Sequence, residues 1–535
     1  MPQSAPPPGA RAGVAPARYV AAALWLSCAG RIALAVVPSM AVWGLNVHRF
    51  VPLAWEWTLL ALPLVALIPA IARPLSDWLD RRRFDRIQWS LTFTVLAVAL
   101  VATFPDRVWF TGDFIGRRFS LTAAGAGLAW YTHAMPLDIL VHQQLGRLLL
   151  TAGGVDVDSF GRLLGAAEAA ALALFTGYNK ALSEVAVAIA LFGLLGIRVM
   201  RNRRGLLGLA LTLALALLLH RSALALLPAF GVAWTHAWRH GTATRARRWP
   251  VWLALAIPVA VLSLLAPHLI ALVRQYDIGL FSAPGNTLAR AAGPDTRLLD
   301  LFNVLLCLSP VALIMLPLPF LDGRRFAQRA EPEFLAALAI PLGIVAVTFH
   351  PPEGLFRFWD IVAPFGMALA ILGAWWIPQA IEDSPGSRPL AVALACAAAC
   401  TALSWLVHDS DTNHGLARVR AFVTEPPSRA PAPRASAYEF LGFRLVDLGR
   451  PAEAATAFAS AAEVVPSPRV LRQWAIAEDM AGDPVAAASV LERIVMRDPS
   501  NGSAWRELAV HAEALGDTAT LKRALRRLAL LDRES

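Results

Sequence analysis

The sequence predicts an all-α protein: a polytopic transmembrane helix bundle of about 11–12 spans, followed by a small water-soluble α-solenoid. Three observations predict it. Hydrophobic residues make up 57% of the 535, mean hydropathy is +0.53, and only 16% are charged, against roughly 25% in an ordinary soluble domain. The apolar residues come in blocks long enough to cross a bilayer, which takes about 20 residues of helix. From residue 436 onward the chain becomes charged and self-similar, with a period of 33–34 residues.

The net charge of +10 is not a nucleic-acid footprint. Residues 435–535 carry 12 basic and 14 acidic side chains, so the remainder of the chain holds the whole excess. There it clusters in short loops: Arg81, Arg82, Arg83 and Arg86; Arg201, Arg203 and Arg204; Arg245, Arg247 and Arg248. Cytoplasmic loops of membrane proteins collect Arg and Lys in this way. The four cysteines, Cys28, Cys307, Cys396 and Cys400, lie in apolar stretches without metal-ligand company and read as small buried hydrophobes.

Residues 1–16 read as a disordered Pro/Ala-rich N-terminus, and 17–407 as the transmembrane domain. Spans are expected near 19–41, 52–72, 88–105, 206–219, 222–238, 249–267, 300–320, 334–349, 358–378 and 388–407, with one or two more within 160–200. The first contains Arg31, which must snorkel or face protein. If the Arg clusters are cytoplasmic, the long loop 106–158, the turn at 220–222, the loops 268–299 and 350–357, and the tail are external. Within the long loop, Met135 to Leu150 reads as an amphipathic surface helix, with Leu137, Leu140, Val141, Leu145 and Leu148 on one face. Residues 408–435 read as a Pro-rich extended linker and 436–535 as the repeat domain.

In the tail, Gly449 recurs as Gly482 and Gly516, Ala454 as Ala487, and Pro466 as Pro499. The first unit carries Tyr438, Leu441, Gly442, Leu445, Gly449, Ala454, Phe458, Ala461 and Pro466. It resembles the tetratricopeptide repeat, in which small residues let two helices approach and a helix-breaking proline closes the unit. That resemblance implies a docking platform for a protein or peptide.

Several polar residues interrupt the apolar blocks. Asp113, in Thr111-Gly112-Asp113-Phe114, can act as a general base or hold a divalent cation; it also fits an ordinary turn. Asp138 and His142 are four apart on the surface helix, with His133 just upstream, and can position a substrate or simply line its wet face. His220 and Arg221 end a very apolar helix. Arg357, Trp359 and Asp360 open a late span, and a guanidinium there can grip a phosphate bidentately or anchor the interface. Asp360 at a span's start needs a partner or a cavity. Tyr178, Asn179, Lys180 and Glu184 break another apolar stretch, lining a cavity or forming a turn. Phosphate-binding loops, HExxH, nucleophile elbows and CxxC pairs are missing from the sequence.

The order of these elements resembles a group of bacterial multi-span proteins that are similar to the C-type (GT-C) glycosyltransferases and often end in tetratricopeptide repeats. The order runs from Gly112-Asp113 through the helix beginning near Pro136-Leu137, Gly177-Tyr178, a hairpin ending in His220 near Pro228, Leu298-Leu299-Asp300-Leu301-Phe302-Asn303, and Arg357-Phe358-Trp359-Asp360. The resemblance covers about residues 85–535. It implies a polyprenyl-phosphate sugar donor, a cell-envelope acceptor and inverting transfer on the outer face of the bacterial inner membrane, with the tail periplasmic. It makes Asp113 the catalytic base or metal anchor and Arg357 the donor-phosphate residue. His133, Asp138, His142, His220, Arg221 and Asp360 would line the substrate site. The cofactor it leaves room for is a divalent cation, Mg2+ or Mn2+, held by Asp113. The partners are membrane lipid, the lipid-linked sugar and a protein or peptide on the repeats. The departures are Phe358, where the pattern has an aspartate, and Asn179-Lys180 in place of a glutamate. A rival reading is a non-catalytic membrane-anchored repeat scaffold for an envelope assembly; a transporter comes third, since the two halves share no repeat symmetry.

Overall fold

A computed structural model describes residues 14–82, 85–112, 114–122, 134–156, 159–160, 181–240, 249–277, 297–309, 312–315, 318, 329–349, 351–382, 384 and 387–534. Among these residues the chain is helical, with no strand. It divides into two units: 1–350 with 358–415, and 351–357 with 416–535.

The first unit begins with α1 (Val14–Val36), a 3-10 turn (Asn46–Phe50), α2 (Leu53–Ala66), α3 (Pro69–Arg81) and α4 (Arg86–Thr103). Asp85 and Gln88 close α4 with a reciprocal capping box. Then come α5 (Phe114–Thr122), α6 (Pro136–Thr151), α7 (Leu182–Asn202), α8 (Leu206–Leu219), α9 (Leu227–His240), α10 (Trp249–Leu272), α11 (Arg297–Leu308), α12 (Glu331–Thr348), α13 (Ala363–Ile381) and α14 (Ser387–Ser410).

Among the described residues, six helices are long and apolar enough to cross a membrane: Pro16–Val36, Leu182–Asn202, Trp249–Tyr276, Glu331–Thr348, Trp359–Ile381 and Ser387–Ser410. A seventh arises if α2 and α3, bent by 81° at their junction, count as one. The expected 11–12 spans therefore come down to six or seven among the described residues. The expected span at 222–238 is instead a 3-10 turn (Arg221–Leu226) leading into the 14-residue α9. At 1.5 Å per residue, α8 and α9 reach roughly 21 Å each, short of a roughly 30 Å hydrocarbon layer. Most of the expected stretch 160–178 lies outside the described residues, and so does part of 300–320.

The core of this unit lies among α7, α8, α9, α12 and α13. Glycines allow the closest approaches, as they do between helices in lipid. A Cβ on Gly196 of α7 would sit 1.9 Å from the Phe334 ring of α12, and one on Gly193 would sit 2.7 Å from Ile371 of α13. Arg201, at the end of α7, pairs with Glu331 at the start of α12 (Nε–Oε1 2.5 Å). Elsewhere, α11 is pinned to the segment after α1. The Trp43 indole donates to Asp300 (2.8 Å), the Gly44 amide donates to Asn303 (2.8 Å), and Asn303 donates to the Ala41 carbonyl (2.8 Å). Asp300 and Asn303, the polar positions of the Leu298–Asn303 motif, thus hold structure together here.

The second unit holds α15 (Thr412–Thr424, mostly within it), α16 (Pro431–Asp447), α17 (Pro451–Val464), α18 (Pro468–Met480), α19 (Pro484–Arg497), α20 (Gly502–Ala514) and α21 (Thr518–Glu534). The segment 408–435 is therefore not the extended linker expected of it. Thr412–Thr424 is helical, and Pro431 occupies a first-turn position of the next helix, where its missing N–H costs nothing. The segment Pro351–Arg357 belongs here as well. The Phe356 and Phe422 rings stack at 3.8 Å and 5°, and the Arg418 and Arg429 guanidinium groups lie over Phe356 and Phe422 respectively.

From α16 on, consecutive helices pack as pairs, and each pair turns at a glycine: Gly449 (φ 68°), Gly482 (φ 83°) and Gly516 (φ 72°). A Cβ at any of the three would meet nothing, so the left-handed backbone itself calls for glycine. The hydrogen bonds repeat as well. Arg450, Asp483 and Asp517 amides reach back to Leu445, Glu478 and Ala512 carbonyls, the 6→1 bond of a Schellman turn. Within the first pair, a Cβ on Gly442 would lie 2.6 Å from the Phe458 ring, so the helices meet over a small residue.

Candidate functional site

The polar centre of the first unit is built on α6. Pro136 starts the helix, and its entry is fixed where His268 of α10 donates through Nε2 to the Ala134 carbonyl (3.1 Å). Residues Ile139–Leu145 then widen into a π-helix, a rare geometry that is frequent at functional sites. Gly146 lets the helix settle on Phe160 and Leu121, whose side chains leave only 3.0–3.1 Å for a Cβ.

The sequence marks α6 as an amphipathic surface helix with Asp138 and His142 on its wet face. The apolar side does face outward, but the polar pair is not wet. Leu140, Leu145 and Leu148 are 51%, 43% and 58% exposed, whereas Asp138 and His142 are buried. The reason is the solvent: a helix among lipid-facing elements satisfies its apolar side outward and pairs its polar side inward.

Asp138 and His142 are two members of a four-residue array. Arg117 of α5 makes a two-pronged contact with Asp138, Nη1–Oδ1 at 2.9 Å and Nη2–Oδ2 at 3.2 Å. Asp138 Oδ1 lies 2.9 Å from His142 Nδ1, and His142 Nε2 lies 3.0 Å from Glu184 Oε1, in the first turn of α7. The His142–Glu184 approach is a close charge contact rather than a well-directed hydrogen bond, since neither atom meets hydrogen-bond geometry. Glu184 Oε2 accepts from the Ser183 hydroxyl (3.0 Å). With the imidazole protonated, the charges alternate and cancel, which is what burial of four ionisable groups demands.

The electrostatics follow. Burial works against the charge on Asp138, but Arg117 and His142 outweigh it and hold the carboxyl well below its ordinary range. Burial also works against His142⁺, but Glu184 and then Asp138 outweigh it and raise the imidazole to about 9. Asp138 and His142 are therefore both charged at neutral pH.

Accessibility separates the roles. The His142 and Asp138 side chains are 0% and 1% exposed, and the Glu184 side chain is 19% exposed. Neither Asp138 nor His142 presents an atom to a ligand. Their polar atoms are engaged by one another, by Arg117 and by Glu184, an arrangement that positions Glu184. Glu184 is the most exposed member of the array.

Asp113 and His133 lie outside the described residues, as do Tyr178, Asn179 and Lys180. His220 ends α8 and caps the following 3-10 turn, its Nδ1 accepting from the Ser222 amide (3.1 Å); Arg221 is the first residue of that turn. Asp360 is fully buried at the head of a 3-10 turn, Trp359–Val362, that leads into α13. Arg357 lies in the second unit, donating to the Ser436 hydroxyl (2.9 Å) and carbonyl (3.2 Å). The Arg357–Asp360 motif thus straddles the boundary between the units.

Arg117 and Glu184 are the functional candidates that sequence reasoning underrated. They sit 21 and 46 residues from Asp138, and only the fold brings them to it. The local signal for Glu184, a carboxylate opening an apolar helix, existed. No cluster of three metal-ligating side chains is present among the described residues. No protein-family model matches this chain, and no curated protein matches it.

Proposed function

We propose that this chain is a membrane glycosyltransferase, similar to the GT-C group, that moves a sugar from a polyprenyl-phosphate donor to a cell-envelope acceptor on the external face of the bacterial inner membrane. The observation that carries the reading is Glu184: a partly exposed carboxylate at the head of a spanning helix, backed by a buried His142–Asp138–Arg117 chain. Such a chain fixes the rotamer of its last member, as an aspartate–imidazole pair does in triads.

In this reading Glu184 faces the acceptor hydroxyl, alone or beside Asp113, and takes its proton as the sugar is transferred. Asp113 would be the residue to hold a divalent cation, which would supply positive charge at the leaving phosphate, and Arg221 contributes positive charge of its own. The tail is read as tetratricopeptide repeats, supported by three Schellman turns at the repeat period, and gathers an acceptor or an envelope protein. A non-catalytic repeat scaffold is the second reading. Arg357 favours it, because the residue expected to grip the donor is occupied by Ser436 of the repeat unit.

The test is the lipid-linked sugar pool of a deletion strain, measured by mass spectrometry. A glycosyltransferase predicts that one polyprenyl-phosphate sugar accumulates on deletion and returns to its normal level on complementation. An unchanged pool and an unchanged envelope glycan leave the scaffold reading.

A further inference from the structure

Arg31 lies in the last third of α1, within the span Pro16–Val36, and is only 7% exposed. Among the described residues it forms no ion pair and no hydrogen bond, and no carboxylate reaches it. A guanidinium in a spanning helix needs a counter-charge or a polar cavity. The cavity is there. Leu24, Cys28, Arg31, His48, Leu60 and Cys400 are among the residues lining a small open recess between α1, α2, the turn at His48 and α14.

His48 is 1% exposed, and its Nδ1 has no hydrogen-bond partner. Burial first, and the Arg31 charge second, bring its imidazole down to about 3, so the ring is neutral and the pocket carries a single positive charge. Ser27 and Thr401 add hydroxyl groups to the lining, and Leu59, Pro63, Ile314, Leu394 and Ala397 extend its apolar part, with exposed Ala398 at its mouth. The helices that carry the lining, α1 and α2, also present Trp25, Leu26, Trp57 and Leu62 outward, 46–73% exposed, as helices in contact with acyl chains do.

We propose that this recess is a binding site for a membrane phospholipid with a net negative headgroup, its phosphodiester on Arg31 and His48 and the start of an acyl chain along Leu24, Leu60 and Leu394. The site is separate from the Glu184 array and does not depend on the glycosyltransferase reading. One fixed cation beside a neutral donor matches one phosphodiester charge. A zwitterionic headgroup would bring its own cation into the recess.

The test is thermal unfolding of the purified, delipidated full chain in neutral detergent, with dioleoyl-phosphatidylglycerol, dioleoyl-phosphatidylcholine or inorganic phosphate added. The expected result is a rise in melting temperature of about 3 °C or more with phosphatidylglycerol, and none with the other two. The rise is expected to vanish in Arg31→Gln and to fall at least by half in Ala398→Phe, which narrows the mouth and leaves the charge in place. If Arg31→Gln does not fold, Ala398→Phe decides alone. An equal shift with inorganic phosphate would overturn the lipid assignment, as would no shift with phosphatidylglycerol. A shift that survives in Ala398→Phe would place the lipid elsewhere.

Discussion

His142 Nε2 lies 3.0 Å from Glu184 Oε1, and this contact joins the loop helix α6 to the first turn of the spanning helix α7. It makes the histidine an internal cation rather than a ligand-facing base. The consequences can be measured without knowing the substrate.

The first is a pH dependence of stability. The folded-state pKa of His142 is raised, from 6.5 to about 9. Its contribution is therefore fully present below about pH 6.5 and is lost as pH rises through 9. A shift of this size is worth on the order of 3 kcal/mol. Melting curves of the full chain followed by tryptophan fluorescence should be level from pH 5.5 to 6.5 and fall progressively towards pH 10. The same series on His142→Asn should lose most of that fall.

A second prediction concerns Asp138, whose removal strands Arg117. Asp138→Asn should destabilise the chain by about 3–5 kcal/mol, the usual effect of leaving one buried charge unpaired. Arg117→Met combined with Asp138→Leu should recover much of that loss, because the uncompensated charge is gone. Envelope glycan should remain defective in the recovered double variant, since the carboxylate that holds the His142 Nδ1 side of the ring is gone.

The helix crossing at Gly196 gives a third. With Phe334 only 1.9 Å from a built Cβ, Gly196→Ala should cost about 1–3 kcal/mol by overpacking. Adding Phe334→Leu should relieve part of it. Gly231 is the control: it lies within α9 with open space around its Cβ position, so Gly231→Ala should be neutral or stabilising by up to about 1 kcal/mol.

In the tail, Gly449→Ala, Gly482→Ala and Gly516→Ala should each cost about 1–2 kcal/mol, the penalty of a left-handed backbone for a residue with a Cβ. The three effects should be similar, because the three turns share one hydrogen-bond pattern. Denaturant unfolding of the full chain, followed by circular dichroism, reads this out.

These residues also mark what the sequence could disclose. The period Gly449–Gly482–Gly516 was legible because a Schellman turn is local: one positive φ and two bonds within six residues. The apolar blocks were legible for the same reason, but the number of spans was not. Whether an apolar stretch such as 222–238 runs straight or breaks into a turn and a short helix depends on its neighbours. The leucine stripe of α6 announced an amphipathic surface helix, and Leu140 and Leu148 do face outward. Asp138 and His142 were visible as a pair four residues apart. Their use was not, since Arg117 and Glu184 reach them only through tertiary packing. Arg357 illustrates the converse: its motif suggested a phosphate grip, and its partner is Ser436.

The most direct test of the central claim, that Glu184 is a working carboxylate presented by a buried array, is the envelope glycan of a deletion strain complemented with Glu184→Gln, with membrane levels matched to wild type. Glutamine keeps the shape and removes the charge. The account predicts at least a tenfold loss of the glycan with Glu184→Gln, a partial loss with Glu184→Asp, and normal protein levels in both. Full restoration of the glycan by Glu184→Gln would contradict it and leave the array a structural clamp.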